Sequence, residues 1–475
     1  MPIRLTRTTD AHPSALVLRP TSHTENTTGA SPAASPAPVP FGLPTSSPGV
    51  LSAPALSAIK SSPEELRNWG RAAGEYVALI KDHREGEVIL DLLDIDIPLA
   101  QFRHLVAGAL EGIDEVGQST PDSNSTDVHL AIAPSLTDES VELILTEELS
   151  IRRAIRLAIE LTDARSNQLT PEVFAERASE IAQRMGFGFR STGATELREQ
   201  GFGGITAIGQ GSAKEPSLVE LWYTPGKQPG NEPPQQAIAI AGKGVTFDTG
   251  GLSLKPPTGM YSMHTDCAGA ATVLSALVAH AEIGSQTPVY VALPLVENIP
   301  GPDSIRPGDV VTMRNGIGLE IIDTDFEGRV ILADAAARLS ESNPRALLSF
   351  ATLTYQIQIA LGPEIAGLFG RDKDLTDRML TAAESAGEAL WSMPWATRYA
   401  DQLISTAPDA ALRNHPLCET GRAITAALFI GEFVPNEIPF AHIDFAGPTV
   451  RNTPSGPAAT GYGVRTIVEL LRDWA

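Results

Sequence analysis

The sequence predicts an α/β protein in two parts. A small N-terminal α/β domain is expected over residues 1–165, and a larger α/β/α domain with a mixed central sheet over 166–475. Three observations support this. Strand-like and helix-like runs alternate along most of the chain, as they do when helices pack on a sheet. "QAIAIAGKGVTF" (236–247) is a nearly continuous apolar run, as expected of a strand covered on both faces. Acidic residues also follow such runs next to glycine turns, and strand ends are where α/β folds build their sites.

Bulk properties narrow the function. A chain of 475 residues can form two or three domains with a large core. Its apolar content of 42% and charged content of 19% are ordinary for a soluble enzyme. No apolar run approaches the ~18 residues that span a bilayer, so no membrane partner is expected. "MPIRLTRTTDAHP" lacks the apolar core of a secretory signal. Cys267 and Cys418 cannot make a disulfide framework, which fits a cytoplasmic location. The net charge of −22 repels nucleic acid and keeps the chain soluble.

In the first part, "SALVLRP" (14–20) reads as a short strand. Residues 26–57 hold seven prolines and no charged residue, and they read as a disordered Pro/Ser/Ala-rich insertion. A helix is expected from Ser61-Ser62-Pro63, with acids in its first turn. "GEVILDLLDI" and "DVHLAIAP" read as strands, whereas "QFRHLVAGALEGI" and "VELILTEELSIRRAIRLAIELTDAR" have helical periodicity. The boundary is placed near residue 166. A new helix then begins at Thr170-Pro171-Glu172, with threonine as N-cap and proline at the first helical position.

The second part repeats the alternation. After the 236–247 strand, "DCAGAATVLSALVAHAEI" (266–283) reads as a helix of small residues. "PVYVALPLVENI" (288–299) and "ALLSFATLT" (346–354) read as further strands. No fixed-period repeat appears.

The chain has no H-E-x-x-H, P-loop, G-x-S-x-G or paired CxxC, and its nine histidines lack metal-ligand spacing. Any metal must therefore be held through oxygen. Three stretches offer such ligands. "AGKGVTFDTGGLSLKP" carries Lys243, Asp248 and Lys255 around a Gly250-Gly251 turn, and "GMYSMHTDCAGAA" carries Asp266. Taken singly, Asp248 has a turn cap and Asp266 a helix N-cap as plain structural alternatives. The third stretch is "IIDTDFEGRVILADA" (321–335), which reads as extended chain. Residues two apart share a face of a strand, so Asp323, Asp325, Glu327 and Arg329 are expected to point one way and Ile322 and Phe326 the other. Together, Asp248, Asp266, Asp325 and Glu327 supply four negative charges, which balance two divalent cations. Buried together without cations, they would be prohibitively costly.

In order and spacing, "GKGVTFDTGGLSLKP", "GM..M..D..GAA", "TD.EGR" and "ATLT" resemble the leucyl aminopeptidase family, the two-metal cytosol aminopeptidases. "LTPEVFAERA", "RPGDVV" and "AHIDFAGP" extend the likeness over roughly 165–475. The resemblance implies a metalloexopeptidase that removes an N-terminal, leucine-like residue from peptides through a metal-bridging hydroxide. By the same resemblance, Lys243, Asp248, Asp266 and Glu327 correspond to the ligands of one metal position, and Asp248, Asp325 and Glu327 to those of the other. The ions would be Mn²⁺ or Zn²⁺, or else Mg²⁺. A metal-bound Lys243 would be neutral, as a neighbouring dication can enforce. Lys255 corresponds to the lysine that stabilises the oxyanion. Arg329 corresponds to the arginine that holds a bicarbonate acting as general base. Met263, Thr352, Leu353 and Tyr355 fall at the pocket for the first side chain. The family's usual assembly is a homohexamer.

Several positions depart from the family pattern. Asp323 and Phe326 stand where the family reads N-T-D-A-E-G-R, His264 stands for a lysine, and Tyr355 and Arg422 each replace a glycine. Every metal and catalytic match survives, so the expectation is an active enzyme with altered specificity. The rival reading is a catalytically degenerate member with a structural or regulatory role, its pocket narrowed by Tyr355.

Overall fold

In a computed structural model, the described residues are 3–5, 16–20, 50–53, 63, 66–68, 70–71, 74, 88–91, 98–117, 128–131, 138–227, 230–453, 456–472 and 474. They divide into two compact units, Met1–Arg152 and Arg153–Ala475.

The first unit carries a parallel five-stranded sheet. Its strands are β1 (Ile3–Leu5), β2 (Leu16–Pro20), β3 (Val50–Ala53), β4 (Val88–Asp91) and β5 (Val128–Ala131), in the order β1-β5-β4-β2-β3. Helix α1 (Leu99–Gly117) lies between β4 and β5 in the chain, and α2 (Asp138–Asp163) follows β5. Strand β3 corrects one expectation. Within the Pro-rich stretch 26–57, the proline-free "VLSA" pairs in parallel with β2, because Val50 and Leu51 are good strand formers between the prolines at 48 and 54. The other residues of that stretch lie outside the described set. Buried Glu111 on α1 accepts from Arg67 at 2.5 Å and from Arg71 at 2.8 Å.

The second unit is built on a nine-stranded mixed sheet. Helix α3 (Pro171–Met185) opens it, and the Thr170 hydroxyl accepts from the Val173 amide at 3.4 Å. There follow β6 (Gly188–Thr192), α4 (Ala194–Glu199), α5 (Gly203–Gly209), β7 (Ser217–Tyr223), β8 (Ile238–Gly242) and β9 (Gly244–Asp248). A short α6 (Pro257–Met260) and a 3-10 turn (Met263–Cys267) lead into α7 (Ala268–Glu282). Next come β10 (Val289–Asn298), β11 (Val310–Thr312), β12 (Gly318–Glu320), α8 (Glu327–Ser340), β13 (Ala346–Ala351), α9 (Tyr355–Leu361), β14 (Ala366–Gly370), α10 (Lys373–Ala386) and β15 (Leu390–Ser392). The chain continues through β16 (Leu412–Arg413), α11 (Arg422–Gly431), β17 (Phe440–Asp444), the antiparallel pair β18 (Val450–Thr453) and β19 (Gly456–Ala459), and α12 (Val464–Arg472). The sheet order is β15-β14-β17-β13-β8-β10-β7-β6, with β9 also on β10.

Strands β8, β10 and β13 at the centre pair in parallel and are buried on both faces. Ala237, Ala239 and Ala241 pack in one core with Val330, Ile331 and Ala333 of α8, while α7 also packs on β8 and β13 and α12 lies against α7. The 236–247 run is two strands bent at Lys243. Strand β8 pairs with both β10 and β13, whereas β9 pairs only with β10. Lys243 thus sits where the run leaves β13, and both of its backbone groups are used. Its amide donates to Phe350 O at 3.0 Å, and its carbonyl accepts from the Ala270 amide at 2.8 Å.

That second bond requires α7 to approach the bend very closely. A Cβ on Gly269 would lie 2.4 Å from Phe350 O and 2.7 Å from the Lys243 amide, and a Cβ on Gly242 would lie 2.7 Å from Gly269 O. These obstacles are backbone atoms and cannot rotate away. Gly269→Ala is therefore expected to lower the thermal midpoint by roughly 3–10 °C, and Gly269→Val by more. An unchanged midpoint in calorimetry would contradict this packing.

Candidate metal centre

Four segments meet at the carboxyl ends of the central strands. The bend supplies Lys243, the end of β9 supplies Asp248, and the 3-10 turn supplies Asp266. The fourth segment, 321–335, is not a strand, which corrects the period-two reading. Residues 321–326 form a loop and Glu327 starts α8. Two causes are visible. The Asp323 carboxylate accepts from the Asp325 amide at 2.9 Å, and buried Asn414 captures the backbone of Ile322 and Asp323, so these residues bend into a turn. Beyond the turn, "VILADAAARL" is rich in alanine and leucine, which favour helix, and it is buried along nearly its whole length, as a helix in the core is. Glu327 lies in the first turn of this helix, where the dipole favours a negative charge.

The acids and lysines interlock. One ligand oxygen each from Asp248, Asp325 and Glu327 lie within 4.8 Å of one another. Lys243 Nζ donates to Asp266 Oδ1 at 2.8 Å and lies 2.8 Å from Glu327 Oε1. Lys255 Nζ lies 2.7 Å from Asp248 Oδ2 and also pairs with Asp325. Burial alone would discharge both lysines, but the surrounding carboxylates outweigh it and hold both above their usual range. Burial and mutual repulsion push Asp266 and Asp325 upward. Two like charges ~4 Å apart repel by about 4 kcal/mol at the effective dielectric of such a site. The carboxylates therefore need cations, and two ammonium groups leave them short of neutrality.

The donor set fits divalent metal. It consists of hard oxygens plus one amine, and it is nearly dry, with Asp248 and Glu327 each only 2% exposed. Asp266 Oδ2 is buried and accepts no hydrogen bond, although Lys243 Nζ lies 2.7 Å away out of line. Arg329 is buried beside this group and donates to Asn414 O at 3.1 Å. Burial lowers its guanidinium to about 9, against the pull of Glu327 and Asp444, which leaves it charged at neutral pH.

Supporting residues hold this arrangement. Asn298, 2% exposed, donates to Asp248 Oδ1 at 2.8 Å and to Thr324 O at 2.9 Å, which ties β9 to the 321–326 loop. The Gly250 amide donates to the same Asp248 oxygen at 2.9 Å. Gly250 and Gly251 take φ values of +85° and +63°, so glycine suits this turn. Gly328 is needed for space, since a Cβ there would lie 2.5 Å from Lys243 Cε. Buried Asp444 accepts from the Leu353 amide at 3.1 Å and from the Thr354 hydroxyl at 2.6 Å, fixing the loop after β13. Sequence reasoning missed Asn298 and Asp444. The available signal was a polar residue closing an otherwise apolar strand.

Of the residues expected to line the substrate pocket, Thr352 reaches the centre. Its hydroxyl donates to Asp266 Oδ1 at 2.7 Å, and its carbonyl accepts from Lys243 at 3.2 Å. Leu353 lies over Gly328, and Met263 is half-buried in the 3-10 turn. Tyr355 begins α9 with 70% of its surface exposed. Asp323 serves the turn rather than the carboxylate group.

A model of the catalytic domain of the cytosol aminopeptidase family matches residues 156–468. A probable cytosol aminopeptidase of Roseiflexus castenholzii is 41% identical over 331 residues, which is 68% of this chain and 66% of that protein. One from Rhodococcus erythropolis is 34% identical over 423 residues, which is 88% of this chain and 82% of that protein. The chain thus spans about two-thirds of the first relative's length. Among solved structures, the bottromycin maturation enzyme BotP is 32% identical with a TM-score of 0.81, covering 96% of this chain and 98% of that one. BotP in complex with Mn is 33% identical with a TM-score of 0.80.

Asn298→Ala removes one of the two donors to Asp248 Oδ1. Affinity for a divalent ion, measured by competition with a chromogenic chelator, is expected to fall about 10–100-fold. Unchanged affinity would show that Asn298 does not position the ligand.

Proposed function

Since this chain belongs to the cytosol aminopeptidase family, we propose that it is a metal-dependent aminopeptidase that hydrolyses the first peptide bond of unblocked peptides. The observation that supports this best is the convergence of Asp248, Asp325 and Glu327 within 4.8 Å, with the Lys243–Asp266 pair alongside. In this reading Lys243, Asp248, Asp266, Asp325 and Glu327 would hold two divalent cations. When bound, the cations supply Lewis-acid polarisation of the scissile carbonyl and an activated water at neutral pH.

The chain's own residues do the rest. Lys255 keeps its proton because Asp248, Glu327 and Asp325 surround it, and it stands at the lip of the group. A fixed ammonium there stabilises the oxyanion as its charge develops. Arg329 offers a buried guanidinium to an anionic base, a bicarbonate in this proposal. Its position is set by the Asn414 carbonyl and by the face of Phe326, whose centroid lies 4.5 Å from its Cζ. Met263, Thr352 and Leu353 present a largely apolar surface for the first side chain, which favours leucine-like residues. Tyr355, 70% exposed at the start of α9, would border the same space. By family resemblance we further propose a cytoplasmic homohexamer. Among the described residues, no helix is long and apolar enough to cross a membrane.

The test is a panel of aminoacyl amides assayed with added Mn²⁺ or Zn²⁺. Turnover of the leucyl substrate is expected, lost on chelation and in Glu327→Ala. Lys255→Ala is expected to lower kcat by about 10²–10³-fold with a smaller effect on KM. Absence of turnover on every substrate and metal would overturn the reading.

A further inference from the structure

Beside the metal centre, the Phe326 ring gathers an unusual set of groups. It belongs to the residue between Asp325 and Glu327, so it borders the proposed ligands directly. The Cζ of Arg329 lies 4.5 Å from its centroid and that of Arg422 lies 5.5 Å from it, and the His415 ring packs edge-on at 4.4 Å. Two guanidinium groups on one ring are a concentration of positive charge close to the reacting centre. Arg422 is held by its own loop, since its Nε donates to Cys418 O at 2.9 Å. Its terminal NH2 nitrogen pairs with Glu419 at 2.9 Å. That partner is weakly bound, because the Glu419 side chain is 89% exposed whereas that of Arg422 is 16% exposed. The Glu419 carboxylate is screened by solvent, so an incoming carboxylate displaces it at little cost.

We propose that Arg422, stacked on Phe326, is a specificity residue that binds a carboxylate of the substrate on the leaving-group side of the scissile bond. The nearest such group is the C-terminal carboxylate of a dipeptide. Three features favour it. Aromatic stacking pre-orients the planar guanidinium, which leaves its terminal nitrogens for a two-point contact with a carboxylate. Arg329 adds a second positive charge on the same ring. The segment carrying Arg422 is tied back at Cys418, so the guanidinium is ordered before substrate arrives. The inference rests on the aminopeptidase reading for the identity of its ligand.

The test compares Leu-Gly with Leu-Gly-amide, which differ only in that carboxylate. The wild type is expected to favour the free acid about tenfold in KM. Arg422→Ala should bring the ratio close to one, and Arg422→Lys should keep part of it. Glu419→Gln, which removes the internal competitor, should raise the ratio above that of the wild type. A wild-type ratio near one, or a ratio that none of these changes moves, would overturn the proposal. If neither peptide is hydrolysed, the aminopeptidase reading fails, and calorimetric titration of the same two peptides still reads the subsite. Tighter binding of the acid by wild type but not by Arg422→Ala supports it, and equal binding overturns it.

Discussion

Four carboxylates brought together in a nearly dry space set the terms for the rest of the second unit. Asp248, Asp266, Asp325 and Glu327 repel one another, and no packing of apolar neighbours offsets that repulsion. The fold answers with Lys243 and Lys255, and it uses strand, turn and helix geometry to place them. Lys243 can reach Asp266 and Glu327 because the central strand bends there and because Gly328 leaves room for its side chain. Asp266 is close because the chain next to it reads Gly269, which lets α7 touch the bend. Asp248 keeps its orientation through Asn298 and the Gly250 amide. The glycines of this region are thus consequences of one electrostatic requirement.

Much of this was legible in the sequence. Apolar periodicity located the central strands, and Thr170-Pro171 marked a helix start that the structure shows, with the threonine hydroxyl capping the Val173 amide. The small residues after Asp266 foretold a helix, and their role is close approach to the strand bend. Other features were hidden for physical reasons. In 321–335 a run of alternating acids imitates a strand, and the Asp323–Asp325 turn bond together with contacts to Asn414, about ninety residues away in sequence, makes it a loop before a helix. Asn298 and Asp444 each close an apolar strand, but their partners lie 26 to 91 residues away in sequence, so the local pattern marks the position and not the role. Val50–Ala53 forms a strand inside a Pro-rich stretch, where its four residues were too short to stand out.

The positions at which the chain departs from its family sort by location. Asp323, Phe326 and Arg422 lie around the loop before α8, where they hold the turn or stack near Arg329. His264 stands apart from that ring, near Arg165 at 3.5 Å. Tyr355 faces solvent. Among the described residues, none of these side chains pairs directly with the carboxylates or lysines of the cluster, although Asp323 holds the turn that carries Asp325.

In this reading the cluster serves two divalent cations rather than its own lysines. Calorimetric titration of chelator-stripped protein with Mn²⁺ tests it most directly. Two ions are expected to bind per chain, each raising stability by about 4 kcal/mol at a free metal concentration a thousandfold above its Kd. No uptake at millimolar Mn²⁺ and Zn²⁺, with an unchanged midpoint, would show that the lysine–carboxylate pairs are the finished structure and would contradict the account.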